Sequence, residues 1–267
     1  MAKLLATAAA VLWVGALVAG PAHANFQGTL DLNGTQQTIF DNNLPAPGSL
    51  LDQNPTAGII QINNEVVGGV IVGISIATAA PGVTSELNSN SLAVSNTNPF
   101  AITATVALSA TDFLGPVNSF SASGSGTFQN AVGATMENAW YDSPSNTQGA
   151  LPGSCLNGAV GTLTTSCPQP GLLVDSGVFT NTGSPNSYSF NFAGPVSDPG
   201  AYSMTMSYQF TLPAAGADCN TATGLGCPTL VSRGQALEKA NIPEPASFAV
   251  LGIGLVGLGL IRKKLRA

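Results

Sequence analysis

The sequence predicts an all-β protein, a two-sheet, jelly-roll-like sandwich over residues 25–229, flanked by an N-terminal signal-peptide helix and a C-terminal transmembrane helix. Three observations carry this expectation: large side chains recur at every second position in several segments, only 7% of residues are charged, and each terminus is an apolar run with a basic flank. Alternation with period two marks strands that turn one face to a core and the other to water. So little charge, against about 25% in ordinary domains, leaves Ser, Thr, Asn and Gln to fill the outward positions.

The first element is the leader MAKLLATAAAVLWVGALVAGPAHA. It has Lys3 as a basic start, an apolar stretch from Leu4 to Ala19, and Ala22 and Ala24 as the small residues of an A-x-A cleavage site. Residues 1–24 are therefore read as a secretory signal peptide, removed by signal peptidase. Next, FQGTLDL and TQQTIF flank Asn33-Gly34, a two-residue hairpin signal. Large residues alternate at Ile102, Val106 and Leu108, at Tyr188, Phe190 and Phe192, and at Tyr202, Met204, Met206, Tyr208, Phe210 and Leu212. Clusters such as NLPAPGS, NTNP, DSPSN and GSPNS mark turns between strands. Residues 143–171 read as a long loop or inserted hairpin, and residues 230–242 as a linker. Disorder is the competing reading, but Gly and Pro together make up about 18% of the chain, below the range of low-complexity segments.

The last element begins with Pro243-Glu244-Pro245, continues as sixteen uncharged residues from 246 to 261, and ends in Arg262, Lys263, Lys264 and Arg266. As a helix the run spans about 24 Å, close to the hydrocarbon core of a bilayer once basic side chains snorkel. The basic flank holds that end in the cytoplasm and places the body across the membrane. Gly252, Gly254 and Gly257 form a G-x-G-x-x-G, yet no second strand and no acidic residue follow, so a dinucleotide site does not fit. The glycines instead offer a small-residue face for helix packing in the membrane.

A signal peptide at one end and a Pro-Glu-Pro, apolar, basic tail at the other resembles the PEP-CTERM class of bacterial surface proteins. Pro243, Glu244 and Pro245 match the signature tripeptide, ASFAVLGIGLVGLGLI the apolar stretch, and RKKLR the basic end. The resemblance implies processing by exosortase, a precursor held transiently in the inner membrane, and a final place at the cell surface or in the extracellular matrix. The segments VALSATDFLGP, GSGTF and GAYSMTMSYQFTL are also similar to strands of PEP-CTERM proteins from exopolysaccharide-producing bacteria. That implies an association with exopolysaccharide or biofilm.

Between the two terminal segments lie twelve acidic residues against Arg233 and Lys239 alone, a formal charge of −10. Nucleic-acid binding needs a basic footprint and is not expected. The one histidine, His23, leaves with the leader, which removes His-based nucleophile systems and His-ligated zinc from the body. No metal or cofactor is expected. Cys155, Cys167, Cys219 and Cys227 lack zinc-site spacing and suggest two disulfides in an exported chain. Three pairings are open; Cys155 with Cys167 and Cys219 with Cys227 are favoured, each bracketing a turn-rich loop.

The expected function is that of a non-catalytic surface or matrix protein. A carbohydrate-binding module is the alternative, with Trp140, Tyr141 and Asp142 as a stacking platform and hydroxyl acceptor, and with calcium at Asp31 and Asn33 or at Asp41, Asn42 and Asn43. The competing reading of each is structural: a core Trp at a strand end, and turn-forming Asp and Asn. A carboxylate-pair glycosidase is the third reading, with Asp112, Glu137 and Asp142 as the central acids.

Overall fold

The computed structural model describes residues 26–41, 50–78, 84–150, 163–166 and 169–240. The signal peptide with Ala22 and Ala24, the tail from Pro243 to Arg266 with its apolar run, and Cys155 and Cys167 lie outside the described residues. Among those described, no helix is long and apolar enough to cross a membrane.

Twelve strands form in chain order: β1 Phe26–Leu32, β2 Thr35–Phe40, β3 Ile59–Val67, β4 Val70–Thr78, β5 Thr84–Asn96, β6 Ile102–Leu114, β7 Val117–Gln129, β8 Thr135–Ser143, β9 Leu172–Thr180, β10 Asn186–Asp198, β11 Ala201–Leu212 and β12 Thr229–Ala240. Among the described residues one helical turn, α1 Leu163–Ser166, interrupts them. The hairpin β1–β2 turns at Asn33 and Gly34, both at positive φ as a tight hairpin requires.

The strands make two six-stranded antiparallel sheets. The first has the order β2-β1-β6-β11-β8-β9 and the second β10-β7-β12-β5-β4-β3. From β5 onward the chain crosses between the sheets at almost every step, in the manner of a jelly roll. The core fills the space between them. Tyr202, Met204, Met206, Tyr208, Phe210 and Leu212 line the inner face of β11, and Leu87, Leu92, Val94, Leu230 and Leu237 meet them from the second sheet. Toward the β9–β10 edge the core is aromatic: Trp140 meets Phe192 edge-on at 5.5 Å, and Phe128 stacks on Phe179 at 6.0 Å.

One expectation is corrected here. Residues 230–240 of the segment 230–242, read as a linker, belong to β12, a central strand of the second sheet between β7 and β5. Its inner face carries Ser232, Gln235 and Lys239 beside Leu230 and Leu237, and a bulge lies between Arg233 and Ala236, so the apolar alternation is broken twice.

Gln235 occupies that bulge. Asn138 of the first sheet donates to its Oε1 at 2.7 Å, and its Nε2 donates to Ser232 Oγ at 2.8 Å and Tyr188 Oη at 3.1 Å. The approach is possible because Gly124 and Gly126 face inward: a Cβ would lie 2.0 Å from Gln235 Oε1 at the first and 2.6 Å from the Tyr188 ring at the second. The Tyr188 ring is hemmed in by Phe128, Phe179 and Phe190, so it has no room to yield. Gly126→Ala is expected to cost about 1–3 kcal/mol by overpacking, measured as a lower urea midpoint with an unchanged slope.

Candidate functional site

The two outer faces of the sandwich differ. On the first sheet the outward row of β11, Ser203, Thr205, Ser207 and Gln209, is buried. The described parts of the segment between β8 and β9 lie across it. Ser203 Oγ donates to Thr147 O at 2.6 Å, Gly149 N to Ser109 Oγ at 2.8 Å, and Leu163 N to Glu137 Oε2 at 2.8 Å. Leu163 packs with Ala107, Ala139 and Tyr141 in a small second core. The described parts of segment 143–171, expected as a long loop or inserted hairpin, therefore cover a polar sheet face.

Among the described residues, the outer face of the second sheet is open. Along β7 it presents Ser119, Ser121, Ser125 and Thr127, opposite Pro195, Ala193, Ser189 and Ser187 of β10. Beyond β7 it continues through Val231, Arg233 and Glu238 of β12 to Ala93, Ser91 and Glu86 of β5. Two shallow grooves run along it. One of ≈ 620 Å³ lies between Ser119, Ser121, Pro195 and Glu238, and another of ≈ 390 Å³ between Ser125, Thr127, Ser187 and Arg233. The wall of the first is mostly apolar, with Phe120, Ala193 and Pro195 beside the two serines, and the second mixes Ser and Thr hydroxyls with Tyr188, Val231 and Arg233, so hydrogen-bonding groups stand among apolar ones.

The sequence-derived platform does not form. Trp140, Tyr141 and Asp142 are all buried. In β8 successive side chains alternate, so Trp140 and Asp142 enter the space between the sheets while Tyr141 points the other way, beneath α1. Burial, with Glu137 nearby, pushes the Tyr141 hydroxyl up to about 12. The same alternation separates Glu137 from Asp142, and Asp112 is held apart with Asn146, which donates to it at 2.8 Å. Glu137 and Asp142 thus cannot flank one glycosidic bond.

Asp31 and Asn33 serve the β1–β2 turn: Asp31 Oδ1 accepts from Gly34 N at 3.0 Å and Asn33 Oδ1 from Thr103 N at 2.9 Å. Burial raises the Asp31 carboxyl above the usual range, and the Gly34 hydrogen bond opposes it. Asp41 Oδ2 accepts from Gly58 N at 2.6 Å, while Asn42 and Asn43 lie outside the described residues. Among the described residues no group of three or more His, Cys, Asp or Glu side chains is placed to hold a metal ion. Cys219 and Cys227 are paired, with Cα atoms 4.3 Å apart, and close the turn-rich loop that leads into β12. Closing so short a loop contributes about 2.5 to 3 kcal/mol in the chain-entropy account.

A second polar cluster, absent from the sequence-derived sites, lies within the sandwich. Lys239 of β12 is fully buried and makes ion pairs with both Asp142 of β8 and Asp198 at the end of β10. Its Nζ also sits 4.4 Å from the centre of the Tyr202 ring, which stacks on Phe113 at 5.6 Å. Burial raises the Asp142 carboxyl above its usual range, Lys239 pulls it down, and Asp198 opposes its ionisation. Tyr202 is pushed up to about 12, first by burial. The signal in the sequence was the isolation of Lys239, the body's only lysine, set two residues after Leu237 at strand spacing.

Residues 241–264 match the family model of the PEP-CTERM protein-sorting motif. The chain therefore carries that motif, and it begins directly after the last residue of β12. No curated protein sequence matches the chain. Among solved structures it is similar to TmCBM61 in complex with beta-1,4-galactotriose, at 7% identity over 56% of this chain and 71% of that one, with a TM-score of 0.30. It is also similar to the CBM22-1 xylan-binding domain from Paenibacillus barcinonensis Xyn10C, at 9% identity over 71% and 90% with a TM-score of 0.28. The adhesin domain of Epf from Streptococcus pyogenes gives 7% over 80% and 61% with a TM-score of 0.32. At such values the likeness says nothing of function.

With Trp140 in the aromatic core, its truncation leaves a cavity. Trp140→Ala is expected to cost about 3–5 kcal/mol, seen as an early thermal transition, whereas a surface platform residue would leave melting nearly unchanged.

Proposed function

We propose that the protein is a non-catalytic surface or matrix protein, exported by its signal peptide and sorted by exosortase through Pro243-Glu244-Pro245, whose open second-sheet face contacts exopolysaccharide or neighbouring proteins. The observation that carries this reading is the sorting motif over 241–264, continuous with a folded sandwich that ends at Ala240. The apolar run 246–261 holds the precursor in the inner membrane, and the basic residues Arg262 to Arg266 fix its orientation. Prolines on both sides of Glu244 keep the tripeptide extended and readable, since they remove backbone donors and resist helix formation.

The open face supports the second half of the reading. Its shallow grooves combine scattered hydroxyl groups with apolar surface from Phe120, Ala193, Pro195 and Val231, which suits weak adhesion along a polymer more than enclosure of one small sugar. A dedicated carbohydrate-binding module remains the alternative, with its ligand in these grooves and not at Trp140, Tyr141 and Asp142.

Two measurements test the halves separately. In an exosortase-bearing host, Glu244→Ala is expected to leave export intact but to accumulate uncleaved precursor in the inner membrane, read by immunoblot of membrane and surface fractions. Processing like the parent would replace the sorting reading with a plain membrane anchor. Ser121→Trp, at an exposed position in the larger groove, is expected to weaken co-sedimentation with the host's exopolysaccharide by about tenfold, or about 1.4 kcal/mol, without lowering the melting temperature. Unaltered co-sedimentation would remove the groove from the reading.

A further inference from the structure

Lys239 is a primary amine sealed from water between two carboxyl groups, on strands of different sheets. Asp198 Oδ2 accepts a hydrogen bond from Nζ. Asp142 Oδ1 forms the second ion pair with Nζ, so the amine lies directly against that carboxyl group. Asp142 and Asp198 are both buried, and the second oxygen of Asp198 has no hydrogen-bond partner. The Tyr202 ring covers the amine on a further side.

We infer that Lys239 Nζ and Asp142 Cγ form an intramolecular amide bond, with Asp198 as the proton carrier. Three ionised groups would leave a net negative charge in a buried site, and one added proton makes the set neutral. Burial and Asp198 both favour placing that proton on Asp142. From this state Nζ passes a proton to the Asp198 carboxylate and becomes a neutral nucleophile. The amine attacks Asp142 Cγ; Asp198 gives its proton to the departing hydroxyl and takes one from the nitrogen. The Nζ–Cγ bond forms, the Cγ–OH bond breaks, one water is released, and Asp198 ends as a neutral acid. The reaction needs no oxidant, metal or energy source. Fixed contact supplies what amide formation lacks in solution, since well-oriented neighbours react as though at roughly 10⁵–10⁸ M. The product replaces a buried ion pair with a neutral amide, so the desolvation cost of two charges disappears. The bond ties β12 of the second sheet to β8 of the first.

The test is mass spectrometry of the full chain, extracted in detergent, reduced, denatured and digested with chymotrypsin. The expected result is a joined pair of peptides, lighter than their sum by one water, with fragmentation placing the link at Asp142 and Lys239. Lys239→Arg, which keeps the cation but cannot acylate in this way, is expected to lose the joined species entirely. Recovery of the two parent peptides separately, at full mass, overturns the inference. A link placed at Asp198 overturns the assignment of Asp142 as the acylated group. Asp198→Asn protein that keeps a β-rich circular dichroism spectrum is expected to lose the joined species. If it links as fully as the parent, the proton-carrying role of Asp198 is overturned.

Discussion

Two sheets that bury one face each leave two outer faces, and a chain with 7% charged residues cannot keep both in water by charge. That constraint shapes the whole molecule. The inner faces close on each other through the large residues of β11 and their partners, an ordinary hydrophobic contact. The outer face of the first sheet is roofed by the segment between β8 and β9, whose backbone groups satisfy Ser109, Glu137 and Ser203. Among the described residues nothing covers the outer face of the second sheet, where Ser and Thr stand beside Ala193, Pro195, Val231, Arg233 and Glu238.

Much of this was legible in the sequence. FQGTLDL and TQQTIF are β1 and β2 residue for residue, and the alternation from Tyr202 to Leu212 is the inner face of β11. β12 was hidden for a physical reason. A reader scanning for apolar alternation meets Ser232, Gln235 and Lys239 at inward positions and concludes that the segment is exposed. Those residues are buried because each finds polar partners, Asn138 and Asp142 across the sandwich for Gln235 and Lys239, and Ser125 O and Gln235 within the second sheet for Ser232, which a one-dimensional pattern does not display. Gly124 and Gly126 disguise β7 in the same way, since their inward positions are taken up by side chains from other strands.

The site was less legible. The tripeptide Trp140-Tyr141-Asp142 suggested a platform, yet strand parity alone forbids adjacent residues from sharing a face. The two aromatics belong to different layers, one among Phe190 and Phe192 and the other under Leu163. Lys239 was set aside with its supposed linker. Its significance depends on Asp142 and Asp198, which lie 97 and 41 positions away in the chain and meet it only through the crossing of strands between sheets. No local motif encodes such a meeting.

The position of β12 sets an order of events. A chain that crosses a membrane amino end first delivers β12 last of all its strands, yet β12 lies between β7 and β5 in the interior of its sheet. Until it arrives, β5 and β7 present unpaired edges and the inner row of β11 lacks Leu230 and Leu237. The sandwich is therefore completed only after translocation has reached the residues adjoining the apolar tail. In a chain delivered in that order, β12 and the sorting motif that follows it arrive together. A processing enzyme that waits for the tail meets a body that has just become able to close.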